Sequence, residues 1–278
     1  MTAPRALCLC IDDVGLHEGV NEAAQVLRRA GRVHALSCMV GGPAWPSGAA
    51  GLRRDTVGPV DIGLHLDLTA WPLTLAPASW SAVWWRGTLD RLPAAGLRDE
   101  VVAQLDRFED HLGRAPDFVD GHQHVHQFPQ VRDALVDVLV KRYPYRRPWL
   151  RSTRAAGWGF KPRLLERLGA RALMADAELL AFPGNRRLLG VYDFLGGPSR
   201  YATLMADWLR QARHGDLLMC HPSVQAVPGD PIRQARLDEY AVLASPAFGE
   251  LIAAEGIRLD AMSRLLQDER FAAAGAGW

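Results

Sequence analysis

The stretch Arg5-Ala6-Leu7-Cys8-Leu9-Cys10-Ile11-Asp12-Asp13 begins the regular structure of the chain. Its apolar run is too short for a helix and ends abruptly at two acidic residues, which is typical of a buried strand. Between Glu18 and Arg29 the apolar residues recur at helical spacing, and Gly31 follows them. The stretch therefore predicts a strand followed by a helix, the unit from which parallel sheets are built.

The same unit recurs along the chain. Further short apolar runs lie at His34–Val40, Val60–Leu68, Phe118–Asp120 and Asp216–Cys220. Alternating strands and helices indicate an α/β fold with mostly parallel strands, and about seven strands in this length favour a closed barrel over an open sheet. No linker or repeat divides residues 1–278, so we predict a single domain. The prolines, glycines and tryptophans at about 70–96 predict an irregular Trp-rich insertion.

Composition excludes several classes of protein. The 278 residues carry 32 basic and 31 acidic side chains, a formal charge of +1, which does not favour a nucleic-acid partner. No run of about 18 apolar residues occurs, so we predict no membrane span. The first five residues lack the layout of a secretory signal, and four cysteines are too few for a disulfide scaffold. We therefore expect a cytoplasmic protein, and we leave a homodimer open.

Side chains that can bind metals follow three of the apolar runs: Asp12 and Asp13, His122 to His126, and His221. A fourth run, Val60–Leu68, carries His65 near its end. In a βα barrel the carboxyl ends of the strands form the rim where ligands bind, so these groups are expected to converge across one mouth. Taken singly, adjacent aspartates often cap a turn, and a single histidine is often a hydrogen-bonded core residue. The set as a whole predicts a site for a divalent cation.

The histidines of residues 122–126 alternate with other residues. In an extended segment, that spacing aims His122, His124 and His126 to one side. An aspartate with two histidines suits a divalent ion that keeps a position open for water, and such an ion lowers the pKa of that water to roughly 7. A second carboxylate is then available as a general base, and another histidine as an acid. These residues predict metal-assisted hydrolysis of an amide or ester.

The chain resembles the YdjC-like carbohydrate deacetylases, the family of chitooligosaccharide deacetylase and of the hopanoid-associated deacetylase-like proteins. The resemblance runs nearly from end to end and rests on four ordered motifs: Ile11-Asp12-Asp13-Val14-Gly15-Leu16, Gly63-Leu64-His65-Leu66-Asp67-Leu68-Thr69, Asp120-Gly121-His122-Gln123-His124-Val125-His126 and His221-Pro222-Ser223. Val14, Gly121 and Ser223 replace the family's usual Phe, Ser and Gly. These departures flank the mouth without removing a ligand, so they bear on substrate identity rather than on the chemistry.

The resemblance implies a distorted (β/α) barrel that removes an N-acetyl group from an amino sugar or oligosaccharide. It implies one divalent ion, zinc or magnesium, held by Asp13, His65 and His122. By the same resemblance Asp12 is the general base, and His221 is the acid that protonates the leaving amine.

The resemblance also bears on three residues beside these. His124 and His126 would lie behind the metal ligands or face the substrate, because the family's ligand is the first histidine of the motif. Arg151, at the end of a predicted strand, would pair with a carboxylate near the site or contact the sugar.

Other functions are compatible with these residues. A phosphoesterase or cyclic amidohydrolase of the metal-barrel type fits His122-x-His124, although such enzymes often bind two metals. A non-catalytic sugar-binding barrel is a third alternative, but binding alone needs no base, and both Asp12 and Asp13 are present. A glycosidase is disfavoured because its two carboxylates face each other across a sugar at about 5 Å or more, which adjacent residues do not readily do.

Overall fold

A single parallel sheet forms the centre of the computed structural model, which describes residues 5–55, 58–155, 163 and 166–275. Its strands are β1 (Arg5–Val14), β2 (Ala35–Cys38), β3 (Asp61–Leu66), β4 (Phe118–Gly121), β5 (Trp149–Leu150), β6 (Leu188–Leu189), β7 (Asp216–Cys220) and β8 (Ile257–Leu259). Seven of them follow the order β5-β4-β3-β2-β1-β7-β6, and β8 pairs with the first residues of β1. The predicted α/β fold with parallel strands is confirmed.

Helices connect the strands in sequence. They are α1 (Glu18–Arg29), α2 (Trp45–Arg54), α3 (Trp80–Thr88), α4 (Ala94–Leu112), α5 (Pro129–Arg142), α6 (Arg171–Leu179), α7 (Gly197–Gln211), α8 (Arg233–Leu243), α9 (Pro246–Ala254) and α10 (Met262–Gly275). A 3₁₀ segment, His122–Gln127, follows β4 directly, and a π-helical turn, Glu166–Ala170, precedes α6. Within the described residues, no helix combines the length and apolar character that a membrane crossing requires.

The sheet curls into a distorted barrel. Its outermost strands, β5 and β6, have two residues each, and two isolated parallel bridges, Leu150 with Gly184 and Ala155 with Leu188, join the segments that carry them. The expected (β/α) barrel is therefore present, with its weakest closure between β5 and β6.

The alternation of side chains along β1 separates two apolar clusters. Leu7, Leu9 and Ile11 belong to the larger cluster, which includes residues of the surrounding helices. Cys8 and Cys10 belong to a smaller cluster with residues from β2, β4, β5, β6 and β7, and this cluster fills the barrel. Because both faces of β1 are covered, its sequence is continuously apolar rather than alternating with polar residues.

The Trp-rich segment at 70–96 is more regular than predicted. It contains α3, whose first turn is capped by Ser79, with the Ser79 Oγ accepting a hydrogen bond from the Ala82 N–H. Val83 is buried, and the Trp80 ring packs edge-on against Phe128. The expectation of an irregular insertion was wrong for these nine residues, because tertiary packing and the cap outweigh the flanking prolines and glycines.

Candidate functional site

A cleft of about 1000 Å³ opens at the carboxyl ends of the strands. Its lining includes residues that follow or end β1, β3, β4 and β7: Asp12, Asp13, His65, His122 and His221. These five side chains, all predicted from the sequence as site residues, therefore line one cleft, as expected for the rim of a barrel.

Asp13, His65 and His122 form a compact cluster in this cleft. One potential ligand atom from each residue lies within 4.8 Å of the others. The Oδ1 atom of Asp13 is 3.0 Å from His122 Nδ1 and 3.3 Å from His65 Nε2. This is the triad that the family resemblance proposes as metal ligands.

A bulge in β1 lets adjacent aspartates reach the same cleft. Regular alternation would point Asp13 away from Asp12. The pairing of β1 with β2 instead shifts register between Ile11 and Val14, and Asp13 adopts a left-handed backbone with φ of 66°. Bulges commonly re-aim side chains beside functional sites, and a non-glycine residue with positive φ is strained. The local distortion thus places a second carboxylate at the rim.

Buried polar groups hold His65 in one orientation. Its Nδ1 atom lies 2.7 Å from Asp120 Oδ1, and the Ser37 hydroxyl donates to that same oxygen at 2.5 Å. The ring therefore turns its Nε2 atom toward Asp13, an arrangement typical of metal-ligating histidines. Burial alone would lower the pKa of His65, but Asp120 and then Asp13 outweigh it and raise that pKa to about 10.

Arg236 on α8 holds the other oxygen of Asp13. Its Nη2 atom donates to Asp13 Oδ2 at 2.7 Å, and its Nε atom donates to Asp230 at 2.6 Å. Burial would raise the pKa of Asp13, but Arg236 and then His122 outweigh it and hold the pKa well below its ordinary value. Asp13 is therefore ionised, with Oδ1 facing the two histidines.

Asp12 is held by a buried arginine. Arg151 is 0% exposed and donates to both carboxylate oxygens of Asp12, at 2.5 and 2.6 Å. Its Nη2 atom also lies 2.6 Å from Asp120 Oδ2. Burial opposes ionisation of Asp12, but Arg151 outweighs it and depresses the pKa. Of the two roles expected for Arg151, the structure shows the contact with carboxylates; its buried side chain is not part of the cleft lining.

His221 lies beside Asp12, at the end of β7. Its Nε2 atom is 3.8 Å from Asp12 Oδ2, and Phe194 packs edge-on against the ring. Glu239 on α8 accepts a 2.5 Å hydrogen bond from the His221 backbone N–H and a 2.8 Å bond from the Tyr192 hydroxyl. Burial would lower the pKa of His221, but Glu239 and then Asp12 raise it.

The prediction that three imidazoles of residues 122–126 face one side was wrong. Gln123 and His124 have left-handed backbones, so the segment curls into a 3₁₀ turn rather than extending. His124 reaches the cleft lining, and burial holds its pKa well below the ordinary value. His126 is buried, its Nε2 atom lies 3.0 Å from the Arg151 carbonyl oxygen, and burial lowers its pKa to about 4. The neutral His126 ring thus supports the Arg151 backbone.

Three contributors were assigned no role from the sequence. Asp120 lies on β4 two residues before His122, a spacing that puts both on one side of an extended chain, which is a signal that strand alternation offers. Arg236 and Glu239 are three residues apart on one helix, so they share a face, and both are buried. Buried charges of this kind are almost always paired, but the sequence does not show with which partners.

The cluster fits a divalent cation by its donor chemistry. It offers one ionised carboxylate oxygen and two imidazole nitrogens, the mixed oxygen and nitrogen set that catalytic zinc sites use with one position left open. Asp120 behind His65 and Arg236 behind Asp13 fix two of the three ligands from outside. A second group, Asp12, His65 and Asp120, shares His65 with the first, but Asp12 and Asp120 are already bound to Arg151.

Comparisons with known proteins agree with this architecture. A family model described as YdjC-like protein matches residues 6–254. A candidate cellobiose-phosphate cleavage protein from Enterococcus faecalis V583 is 20% identical; the match covers 95% of this chain and 100% of that one, with a TM-score of 0.66. A peptidoglycan N-acetylglucosamine deacetylase is 12% identical, with coverages of 94% and 88% and a TM-score of 0.52.

A family 4 acetyl xylan esterase from Clostridium thermocellum, solved with a cobalt ion, is also similar. It is 12% identical, with coverages of 95% and 91% and a TM-score of 0.50. At these identities the three solved structures show a shared fold.

Proposed function

The chain belongs to the YdjC-like protein family, and from that premise we propose that it is a metal-dependent hydrolase that removes an N-acetyl group from an amino sugar or oligosaccharide. The observation that carries the proposal is the convergence of Asp13, His65 and His122 in one cleft, beside the Asp12–Arg151 pair and His221. The names of two proteins that share the fold, a peptidoglycan N-acetylglucosamine deacetylase and an acetyl xylan esterase, support the choice of an acetyl group by analogy.

Asp13, His65 and His122 would hold the cation, zinc or magnesium. When bound, such an ion polarises a carbonyl oxygen and lowers the pKa of water to roughly 7. Asp120 keeps the Nε2 atom of His65 directed at the site, and Arg236 leaves one oxygen of Asp13 free for it. The protein thereby orients two of the three donors, His65 and Asp13, before the substrate arrives.

Asp12 and His221 are suited to opposite proton transfers. Arg151 keeps Asp12 ionised, so its carboxylate can accept a proton from the attacking water. The raised pKa of His221 favours the protonated ring, which can donate to the leaving amine nitrogen. Two neighbouring groups with pKa values shifted in opposite directions are a pattern of acid–base pairs. Their atoms are 3.8 Å apart, so both would lie beside one bound acetamide group.

The direct test is acetate release from a panel of N-acetylated sugars, run with and without a chelator. We expect the wild-type protein to release acetate and the chelator to stop it. The Asp12→Asn protein is expected to retain the metal while turnover falls by about 10²-fold to 10⁴-fold, the usual contribution of a general base. Asp133→Asn, which changes an exposed α5 carboxylate, is the matched control. Equal turnover in Asp12→Asn and wild type would eliminate the base assignment.

Two further measurements, the number of metal ions per chain and the binding of the same sugars, separate the alternatives. A two-metal phosphoesterase or amidohydrolase would hold two ions per chain, whereas the proposed site holds one. A non-catalytic sugar-binding barrel would bind the sugars without releasing acetate. Either result would replace the deacetylase proposal.

A further inference from the structure

The cleft has an exposed aromatic side chain at its rim. Trp71 follows β3, contributes to the cleft lining and remains 47% exposed. Trp85 on α3 is 57% exposed but is not among the described residues that line the cleft. Two tryptophans of one segment are thus similarly open to solvent, and one of them adjoins the candidate site. The flat, apolar face of an indole is a common surface for ligand contact.

Buried carboxylates hold the loop that carries Trp71. Asp67, the residue after β3, accepts hydrogen bonds from the backbone N–H groups of Thr69, Ala70 and Trp71 at 2.7, 3.1 and 2.5 Å. This fixes the Trp71 backbone four residues after Asp67, only six residues beyond His65.

A second carboxylate fixes the continuation of the loop. Glu100 on α4 accepts from the backbone N–H groups of Leu73, Thr74 and Leu75 at 2.7, 2.6 and 2.9 Å. Gln104 links the part of the loop held by Asp67 to the part held by Glu100. Its amide donates to the Asp67 carbonyl oxygen and to Glu100, both at 2.6 Å. Asp67, Glu100 and Gln104 are all at most 1% exposed. Burying a carboxylate costs free energy unless hydrogen bonds satisfy its oxygens. This fully bonded network therefore indicates that the loop holds one conformation.

The turn after β2 also fits closely against this loop. A Cβ atom on Gly41 would lie 1.7 Å from the Trp71 carbonyl oxygen, so no other residue fits there without moving the loop. Gly41 follows the buried β2 end, which makes Trp71 part of the rigid rim rather than of a free excursion.

We propose that Trp71 is a specificity-determining residue, on which a second pyranose ring of the substrate stacks through its apolar C–H face. This inference rests on the proposed function, which places the N-acetylated ring at the Asp13–His65–His122 cluster. The cleft volume, about 1000 Å³, is at the upper end of the range for small-ligand sites, which leaves space for more than one sugar ring. The rigid loop holds Trp71 in place before binding, which lowers the conformational entropy lost when a ring stacks on it.

The test compares Trp71→Ala with Trp85→Ala, using N-acetylglucosamine and its β-1,4-linked dimer and trimer as probes. For Trp71→Ala we expect KM to rise roughly tenfold for the dimer and trimer, the size expected for losing about 60 Å² of apolar contact. The kcat should be unchanged, as should the KM for the monosaccharide. Trp71→Phe should retain most of the preference for longer probes, and Trp85→Ala should behave as wild type.

A binding measurement keeps the inference separate from the proposed function. Calorimetric titration of the probes into Asp12→Asn, with and without Trp71→Ala, measures stacking without turnover. If Trp71→Ala weakens the binding of the longer probes only, the result supports stacking on Trp71. It does so even if the wild-type protein releases no acetate, which would overturn only the deacetylase proposal. Stacking on Trp71 is ruled out if all probes bind equally to Asp12→Asn with and without Trp71→Ala. It is also ruled out if Trp71→Ala and Trp85→Ala show the same preference for chain length. Melting temperatures of all variants identify any loss caused by unfolding.

Discussion

Replacing Arg151 by methionine should both destabilise the protein and disable its proposed base. The methionine keeps much of the buried volume but removes the positive charge between Asp12 and Asp120. Asp12 and Asp120 are at most 2% exposed, and Asp13 lies beside them in the same buried rim. The change therefore leaves several carboxylates near one another with their main counter-charge removed.

The size of the expected stability loss in Arg151→Met follows from the burial of the carboxylates that it leaves unpaired. Removing one partner of a buried ion pair costs about 3–5 kcal/mol, because the other charge stays desolvated and unpaired. For a protein of this size, 1 kcal/mol shifts the melting temperature by about 2–4 °C, so we expect a loss of about 10 °C. The loss should be largest at neutral pH and smaller in acid. The pKa of Asp12 is depressed in the folded protein, so the stability from its pairing is present above the unfolded pKa and is lost as pH falls.

Thermal unfolding followed by circular dichroism is the assay, and the surface provides a matched control. Arg200 makes a comparable two-point contact with Asp193, at 2.5 and 3.1 Å, but both side chains are exposed. Arg200→Met should therefore leave the melting temperature nearly unchanged. Arg151→Lys keeps the charge without the two-point geometry, so it should recover stability more than turnover. If Arg151→Met melts within about 2 °C of Arg200→Met, the reasoning about the buried cluster is refuted.

Two further predictions concern pH. Glu239→Gln should lower the pKa of His221, because the carboxylate raises it; an acid must be protonated, so the alkaline limb of kcat/KM should move to lower pH. Tyr192→Phe, which removes a hydrogen bond to Glu239 but not its charge, should move that limb less, and an unmoved limb in Glu239→Gln would remove His221 as the acid. Metal affinity should rise with pH, because the pKa of His65 is raised to about 10 and its proton must leave before a cation binds. Calorimetry in two buffers of different ionisation enthalpy should show the release of about one proton, and no release would contradict this prediction.

The positions of the rim residues could be predicted because they depend on local pattern and topology. Short apolar runs that end at Asp12 and His221, or carry His65 near their end, indicated strands, and parallel strands bring their carboxyl ends together. The structure does place these three side chains in one cleft. No knowledge of individual contacts was needed for that step.

The details that orient the site could not be predicted because they depend on backbone distortion and distant pairing. The left-handed turn at Gln123 and His124 overrides the alternation that was expected to aim three histidines to one side, and the bulge at Asp13 turns a second carboxylate toward the rim. Arg151 was expected near a carboxylate, but its simultaneous contact with Asp12 and Asp120 requires three separate strands to meet. Such contacts arise from the packed fold and leave no periodic signal in the sequence.

Metal binding by single variants tests most directly whether Asp13, His65 and His122 hold one cation. Titration with zinc, followed by calorimetry and elemental analysis, should give one ion per wild-type chain. Asp13→Ala, His65→Ala and His122→Ala should each weaken binding by at least about 100-fold, since each removes one of three ligands. His124→Ala, which changes a histidine of the same motif outside the cluster, should bind as wild type. Wild-type affinity in any of the three cluster variants would contradict the account.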